Sequence, residues 1–219
     1  HEDLLGRARA EYRLTPILAR DMDAHETRDI HDELELPLSR VLTEMEAAGI
    51  AVDASELDRL DAMHEERQSE VAARAFAEIG GEEINLGSPK QLQTVLFDRL
   101  GMPPTRKTKT GHSTDAESLT DLYVKTGHPF LQALLEHRDV TKLRQIIETL
   151  RKSVTDSGRI HTTLSQNIAA TGRLASSNPN LQNIPARTEA GRQIRGAFHA
   201  SEGFETLLTA DYSQIEMRT

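Results

Sequence analysis

Cysteine is absent from all 219 residues, which excludes a disulfide framework and any thiolate metal site. No apolar run approaches the roughly 20 residues that a membrane-spanning helix needs. The chain opens on His1, with no charged segment leading into an apolar one as in a secretory signal. No internal repeat and no low-complexity tract occurs. The nine histidines show no metal-ligand spacing. These absences fit a cytoplasmic protein without a membrane part, long enough for one or two ordinary domains with a real core.

Net charge is −9, which taken globally argues against a simple nucleic-acid binder. Its distribution argues the other way. From His1 to Glu83 acidic residues outnumber basic ones by 22 to 9. From Pro104 to Lys152 nine basic residues face six acids, and from Gly158 to Ala210 five arginines face three glutamates. Such an asymmetry is what a polyanion-binding surface on an acidic protein would show, though each charge taken singly also fits a solvated helix face.

The first two-thirds read as helices. Ile30, Leu34, Leu38, Val41, Leu42, Met45 and Ala48 recur at helical spacing, and Gly49 suits a C-terminal cap. Pro37 implies a kink or a start. Asp53 with Glu56 opens a long helix that closes at Gly80-Gly81. Ser88-Pro89-Lys90-Gln91 is a third start, with Gln91 in capping-box position. A polar, basic loop without apolar anchor covers Thr105–Ser113 and carries Lys107 and Lys109. Helices then restart near Thr114 and run from about Pro129 to Lys152. After Gly158 the pattern changes, and strands are predicted over Arg159–Ser165 and over Thr206–Asp211, the second buried and central. The fold class is mostly α with an α+β end.

The chemistry concentrates near the C-terminus. Arg173, Asn178, Asn180, Gln182, Asn183 and Arg187 form a polar stretch suited to touching a duplex, although Asn and Pro also favour plain turns. The predicted strand Leu207-Leu208-Thr209-Ala210 ends in Asp211. A carboxylate at a strand tip is held rigidly, and Mg²⁺ takes one or two carboxylates together with substrate phosphates. An aspartate in that place equally serves as a cap or turn.

The run Ala170-Thr-Gly-Arg-Leu-Ala-Ser-Ser-Asn-Pro-Asn-Leu-Gln-Asn-Ile-Pro-Ala-Arg-Thr188, followed by Asp211-Tyr-Ser-Gln-Ile-Glu-Met-Arg218, closely resembles the bacterial DNA polymerase I family (family A). Gly87-Ser-Pro-Lys-Gln-Leu-Gln93, the Arg-Lys-Thr-Lys-Thr-Gly loop and His137-Arg-Asp-Val-Thr-Lys-Leu143 match it in order. The acidic, Ala-rich style resembles actinobacterial members.

That resemblance implies a tail of an exonuclease-like domain over residues 1–28, a helical thumb over 29–153, and the first strands of a truncated palm over 154–219. It implies Asp211 as first catalytic aspartate and ligand of two Mg²⁺ ions, with the Tyr212 carbonyl as a further ligand. Glu216 resembles the side chain that excludes a ribonucleotide's 2′-hydroxyl. Arg173, Asn180 and Asn183 resemble residues at the minor groove near the primer end, with Arg138 and Lys142 as thumb contacts to the duplex. Minor-groove acceptors occur at every correct pair, so such contacts test geometry without reading sequence. The partners implied are primer–template DNA and deoxynucleoside triphosphates, for a monomer.

Ala175, Asn178 and Leu164-Ser165 depart from the usual family residues. The family's nucleotide-binding fingers helix and its second catalytic aspartate are not found before Thr219, so a fragment inactive by itself is expected. The alternatives are a stand-alone DNA-binding module and a relative of single-subunit RNA polymerases.

Overall fold

The computed structural model describes residues 2–109 and 111–217, the side chains of Glu2, Asp3 and Glu216 aside. Helices dominate, with a few short antiparallel strands, as the sequence predicts. The chain divides into two compact units, one of residues 1–49 and 161–182, the other of 50–160 and 183–219.

In the larger unit, helices α3 (Ala54–Ala77) and α6 (Pro129–Lys152) make the most extensive pairing. Asp53 starts α3 as predicted, its carboxylate accepting the backbone N–H groups of Ser55 (2.9 Å) and Glu56 (3.2 Å). Val71 and Ala75 of α3 pack with Phe130, Leu131, Ala133 and Leu134 of α6. The cluster takes in Leu92 of α4 (Pro89–Gln93) and Leu119 and Leu122 of α5 (Ala116–Thr126). Ser88 makes no capping bond to α4, and Gln91 turns away to accept the Asn85 N–H at 2.7 Å. The capping box predicted there is therefore not formed. Thr94–Arg99 continues α4 as a π-helical turn.

The basic loop is a hairpin with anchors. Strands β2 (Lys107–Thr108) and β3 (Gly111–His112) pair antiparallel. The Gln93 amide donates to the His112 carbonyl (2.8 Å), and the His112 ring lies 5.0 Å from that of Phe97. Neither anchor is visible in the loop's own residues, because both partners come from the preceding helix.

The strand predicted over Arg159–Ser165 is two. β4 (Arg159–Ile160) pairs with β1 (Ile50–Ala51), and β5 (Thr163–Ser165) pairs with β6 (Ala175–Ser177). Beside β1 docks the end of α7 (Glu189–Gly196), where His199 N–H donates to the Ala51 carbonyl and Asp53 N–H to Ala197. A Cβ placed on Gly191 would overlap the Pro185 carbonyl, so this helix needs glycine there.

In the smaller unit, α1 (Glu2–Ala24) precedes a π-helical turn, Ile30–Glu35, which leads into α2 (Leu36–Ala48). Pro37 falls at the junction of the π-helical turn and α2, where the pattern of backbone bonding changes. The β5–β6 hairpin hangs on α2. The His161 ring nitrogen meets the Glu46 carbonyl (2.8 Å), and the Glu46 carboxylate accepts the Leu164 N–H (2.5 Å).

The buried central strand predicted over Thr206–Asp211 does not form. That segment has no regular structure and is unpaired among the described residues, with Leu208 90% exposed. A central strand needs a neighbour on each side to satisfy its N–H and C=O groups, and none is present among the described residues.

His64 on α3 is buried, and its Nε2 has no hydrogen-bond partner among the described residues. Burial lowers its pKa from the ordinary 6.5, with Asp61 opposing and Arg144 assisting. Below about pH 6.5 the unfolded chain takes up a proton that folded His64 refuses, so stability falls as pH falls. His137, lowered by burial beside Arg138, adds to the same trend. Urea unfolding at pH 7.5 and 5.5 should show a smaller loss of stability for His64→Leu than for the unaltered chain. Asp53→Ala should cost about 1 kcal/mol at either pH.

Candidate nucleic-acid interface

The basic stretch of the larger unit has few cations to spare. Arg144 on α6 bonds Asp61 (3.3 Å) and Glu65 (3.1 Å) of α3, and Arg151 bonds Asp58 (2.6 Å) and Asp61 (2.5 Å). Arg106 pairs with Asp115, and Lys152 with Glu148 one helical turn away. Asp115 caps α5, and the Ser113 hydroxyl and Ser118 N–H hold its carboxyl far below the usual range. Of the nine basic residues of this stretch, Arg106, Arg144, Arg151 and Lys152 are thus paired within the chain, which the sequence alone does not disclose.

Lys107, Lys109, Lys125 and Lys142 remain exposed, with no ion pair among the described residues. Two stand on the β2–β3 hairpin and one on α6. Arg138, four residues before Lys142, is half-buried and donates from Nη1 to the Thr114 carbonyl at 2.5 Å. Burial lowers its pKa, with Asp115 opposing. It ties α6 to the junction between the hairpin and α5, a structural role for a residue that the sequence marks as a candidate duplex contact.

In the smaller unit, exposed Arg173 leads into β6. Asn180 is exposed, and its Oδ1 accepts the Gln182 N–H at 2.9 Å. Asn183, the first residue of the larger unit's second segment, closes the 3-10 turn Leu181–Asn183 and is exposed. In the larger unit the C-terminal arginines divide as the lysines do. Arg192 pairs with Glu189, and Arg195 donates to the Pro185 and Ala186 carbonyls. Arg187 stays exposed, with no partner among the described residues.

Asp211 and Tyr212 lie in the exposed segment that leads to a 3-10 turn, Ile215–Met217. The Asp211 carboxylate has no hydrogen bond or ion pair among the described residues. It is not the rigid, partly desolvated strand-tip acid expected, because the strand that would have fixed it is unpaired. No group of three or more His, Cys, Asp or Glu side chains able to hold a metal occurs among the described residues. The side chain of Glu216 lies outside the described residues.

Helix, hairpin and Asn-rich turn together have known counterparts. The family model described as "DNA polymerase family A" matches residues 54–219. The chain belongs to DNA polymerase family A. It is 55% identical over 212 residues to DNA polymerase I of Mycobacterium tuberculosis, covering 97% of this chain and 23% of that protein. Against DNA polymerase I of Bacillus subtilis identity is 42% over 221 residues, 99% of this chain and 24% of the relative. The higher mycobacterial identity agrees with the actinobacterial style of the sequence. Among solved structures, the POL domain of Pol1 from M. smegmatis, in complex with DNA primer-template and dNTP, matches with a TM-score of 0.92. Identity there is 55%, over 97% of this chain and 37% of that one. The chain thus spans about a quarter of the length of the M. tuberculosis and B. subtilis polymerases.

The two α6 cations of this family A chain should separate on substitution. Arg138→Ala removes a charged donor from the buried Thr114 and should cost about 1–3 kcal/mol in urea unfolding. Lys142→Ala should stay within about 0.5 kcal/mol.

Proposed function

We propose that this chain is the DNA-gripping part of a template-directed DNA polymerase that serves replication and repair. Residues 29–153 are the helical thumb and 154–219 the opening of the palm, with 1–28 the tail of an exonuclease-like domain. The parent adds deoxynucleotides to a primer 3′ end and works as a monomer in the cytoplasm.

The observation that carries the reading is the division of the basic residues. Most arginines of the larger unit are bound within the chain, whereas Lys107, Lys109 and Lys142 project unpaired from the hairpin and α6. Phosphates are met by such uncommitted cations, and each one neutralised adds about 0.9 to the magnitude of the salt slope. Arg138 holds the segment just after the hairpin to α6. Arg173, Asn180 and Asn183 supply donors for minor-groove acceptors, which suits an enzyme that must accept any sequence. The M. smegmatis relative, solved with primer-template and dNTP, supports these partners.

The Asp211 carboxylate and Tyr212 carbonyl are hard oxygen donors of the kind Mg²⁺ takes, and both residues are exposed. They supply part of a site. Two bound Mg²⁺ ions would activate the attacking oxygen and steady the leaving group. Glu216 stands one turn beyond and would bar a ribose 2′-hydroxyl. With a single such carboxylate, the chain by itself does not extend a primer.

Fluorescence anisotropy with a hairpin primer–template at several salt concentrations tests the proposal. Exchanging Lys107 and Lys109 together for Ala should reduce the magnitude of the salt slope by about 1.8. A flat salt response of the unaltered chain, or primer extension by it in Mg²⁺ above background, would overturn the reading.

A further inference from the structure

The turn that follows β6 is held by two hydroxyls and an amide with no role so far. Ser176 is buried, and its Oγ accepts the Leu181 N–H at 3.0 Å. Thr162 Oγ1 lies 2.7 Å from that oxygen, 2.8 Å from the Pro179 carbonyl and 3.1 Å from the Ser177 carbonyl. Two hydroxyls hold two protons. Ser176 Oγ also reaches the Pro179 carbonyl (3.3 Å), so the two protons are shared among the two hydroxyl oxygens and the two carbonyls, and together they lock the Ser177–Leu181 turn against the strand.

Gln182 completes the bracket. Its Nε2 donates to the Leu174 carbonyl (2.9 Å) and its Oε1 accepts the Ser176 N–H (3.2 Å). Those two backbone groups flank Ala175, so one side-chain amide serves β6 as a neighbouring strand's peptide group would. Leu174 follows Arg173 directly, and the Gln182 N–H is the group that holds the Asn180 side chain. Both proposed groove contacts thus leave from backbone that this bracket fixes.

We propose that Thr162, Ser176 and Gln182 are positioning residues that hold Arg173 and Asn180 in register for the minor groove of a primer terminus. The proposal rests on the DNA reading of Arg173 given above. It assigns Gln182 an inward task, since its amide is engaged at both ends by the chain's own backbone.

The test is binding of the whole chain to labelled primer–template with a matched or a mismatched 3′ end, alongside thermal unfolding of every variant. Arg173→Ala should erase most of the preference for the matched duplex, about tenfold for a lost base-edge contact. Gln182→Ala should lose a similar factor, and Arg173→Ala with Gln182→Ala no more than Arg173→Ala alone. Thr162→Val, which keeps the shape without the hydroxyl, should lose preference that Thr162→Ser retains. If Gln182→Ala lowers the melting temperature too far for binding to be read, the Thr162 pair decides. An inert Arg173→Ala would remove the DNA reading and this proposal together. An effective Arg173→Ala beside full preference in Gln182→Ala and Thr162→Val, or losses that add, would overturn the positioning role alone.

Discussion

The antiparallel seam between α3 and α6 is the constraint on which the larger unit depends. Its partners run in opposite order along the two helices: Asp61 with Arg151, Gln68 with Thr141, and Arg67 and Arg74 with Glu136. The apolar stripe beneath contributes most of the stabilisation, since burying each large side chain is worth about 1.5–3 kcal/mol. The ion pairs above it are half-exposed and individually worth about 1 kcal/mol or less. Their service is register: a helix slipped by one turn would leave the acids of α3 facing the wrong residues of α6. The hairpin, α5 and α7 all attach to elements that this seam has already placed.

A division of labour among charges follows from it. Acids of α3 and arginines of α6 neutralise each other inside the larger unit. What is left for an outside polyanion is a small set of lysines on the hairpin and α6, with Arg187 further along. Arg138 belongs with the engaged group: it lies on the helix that presents Lys142 to solvent, but its guanidinium is held by the Thr114 carbonyl ahead of α5.

Helices were legible because their signals are local. Asp53 and Asp115 cap the helices they precede, Gly49 and Gly127 end theirs with positive φ, and the apolar spacing finds the buried faces. Signals that depend on distant partners were not legible. Arg144 meets Asp61 across 83 residues, and nothing near either position announces it. The strand predicted over Thr206–Asp211 failed for the same reason, since pairing is a property of two segments and the sequence displays only one. At the candidate site, Arg173 and Asn180 stood out by type, whereas Thr162 and Ser176 did not. A buried hydroxyl is conspicuous only once its neighbours are known.

The stretch from Phe204 to Tyr212, in no strand pairing among the described residues, carries a further consequence. A protease cleaves chain that it can draw into its own cleft in extended form, and helices packed on a core resist this. Here Phe204, Leu208 and Tyr212 offer bulky side chains on backbone that no neighbouring strand holds. Limited digestion with chymotrypsin would therefore nick this stretch first, and the seam-held helices would survive as a trimmed, compact remnant.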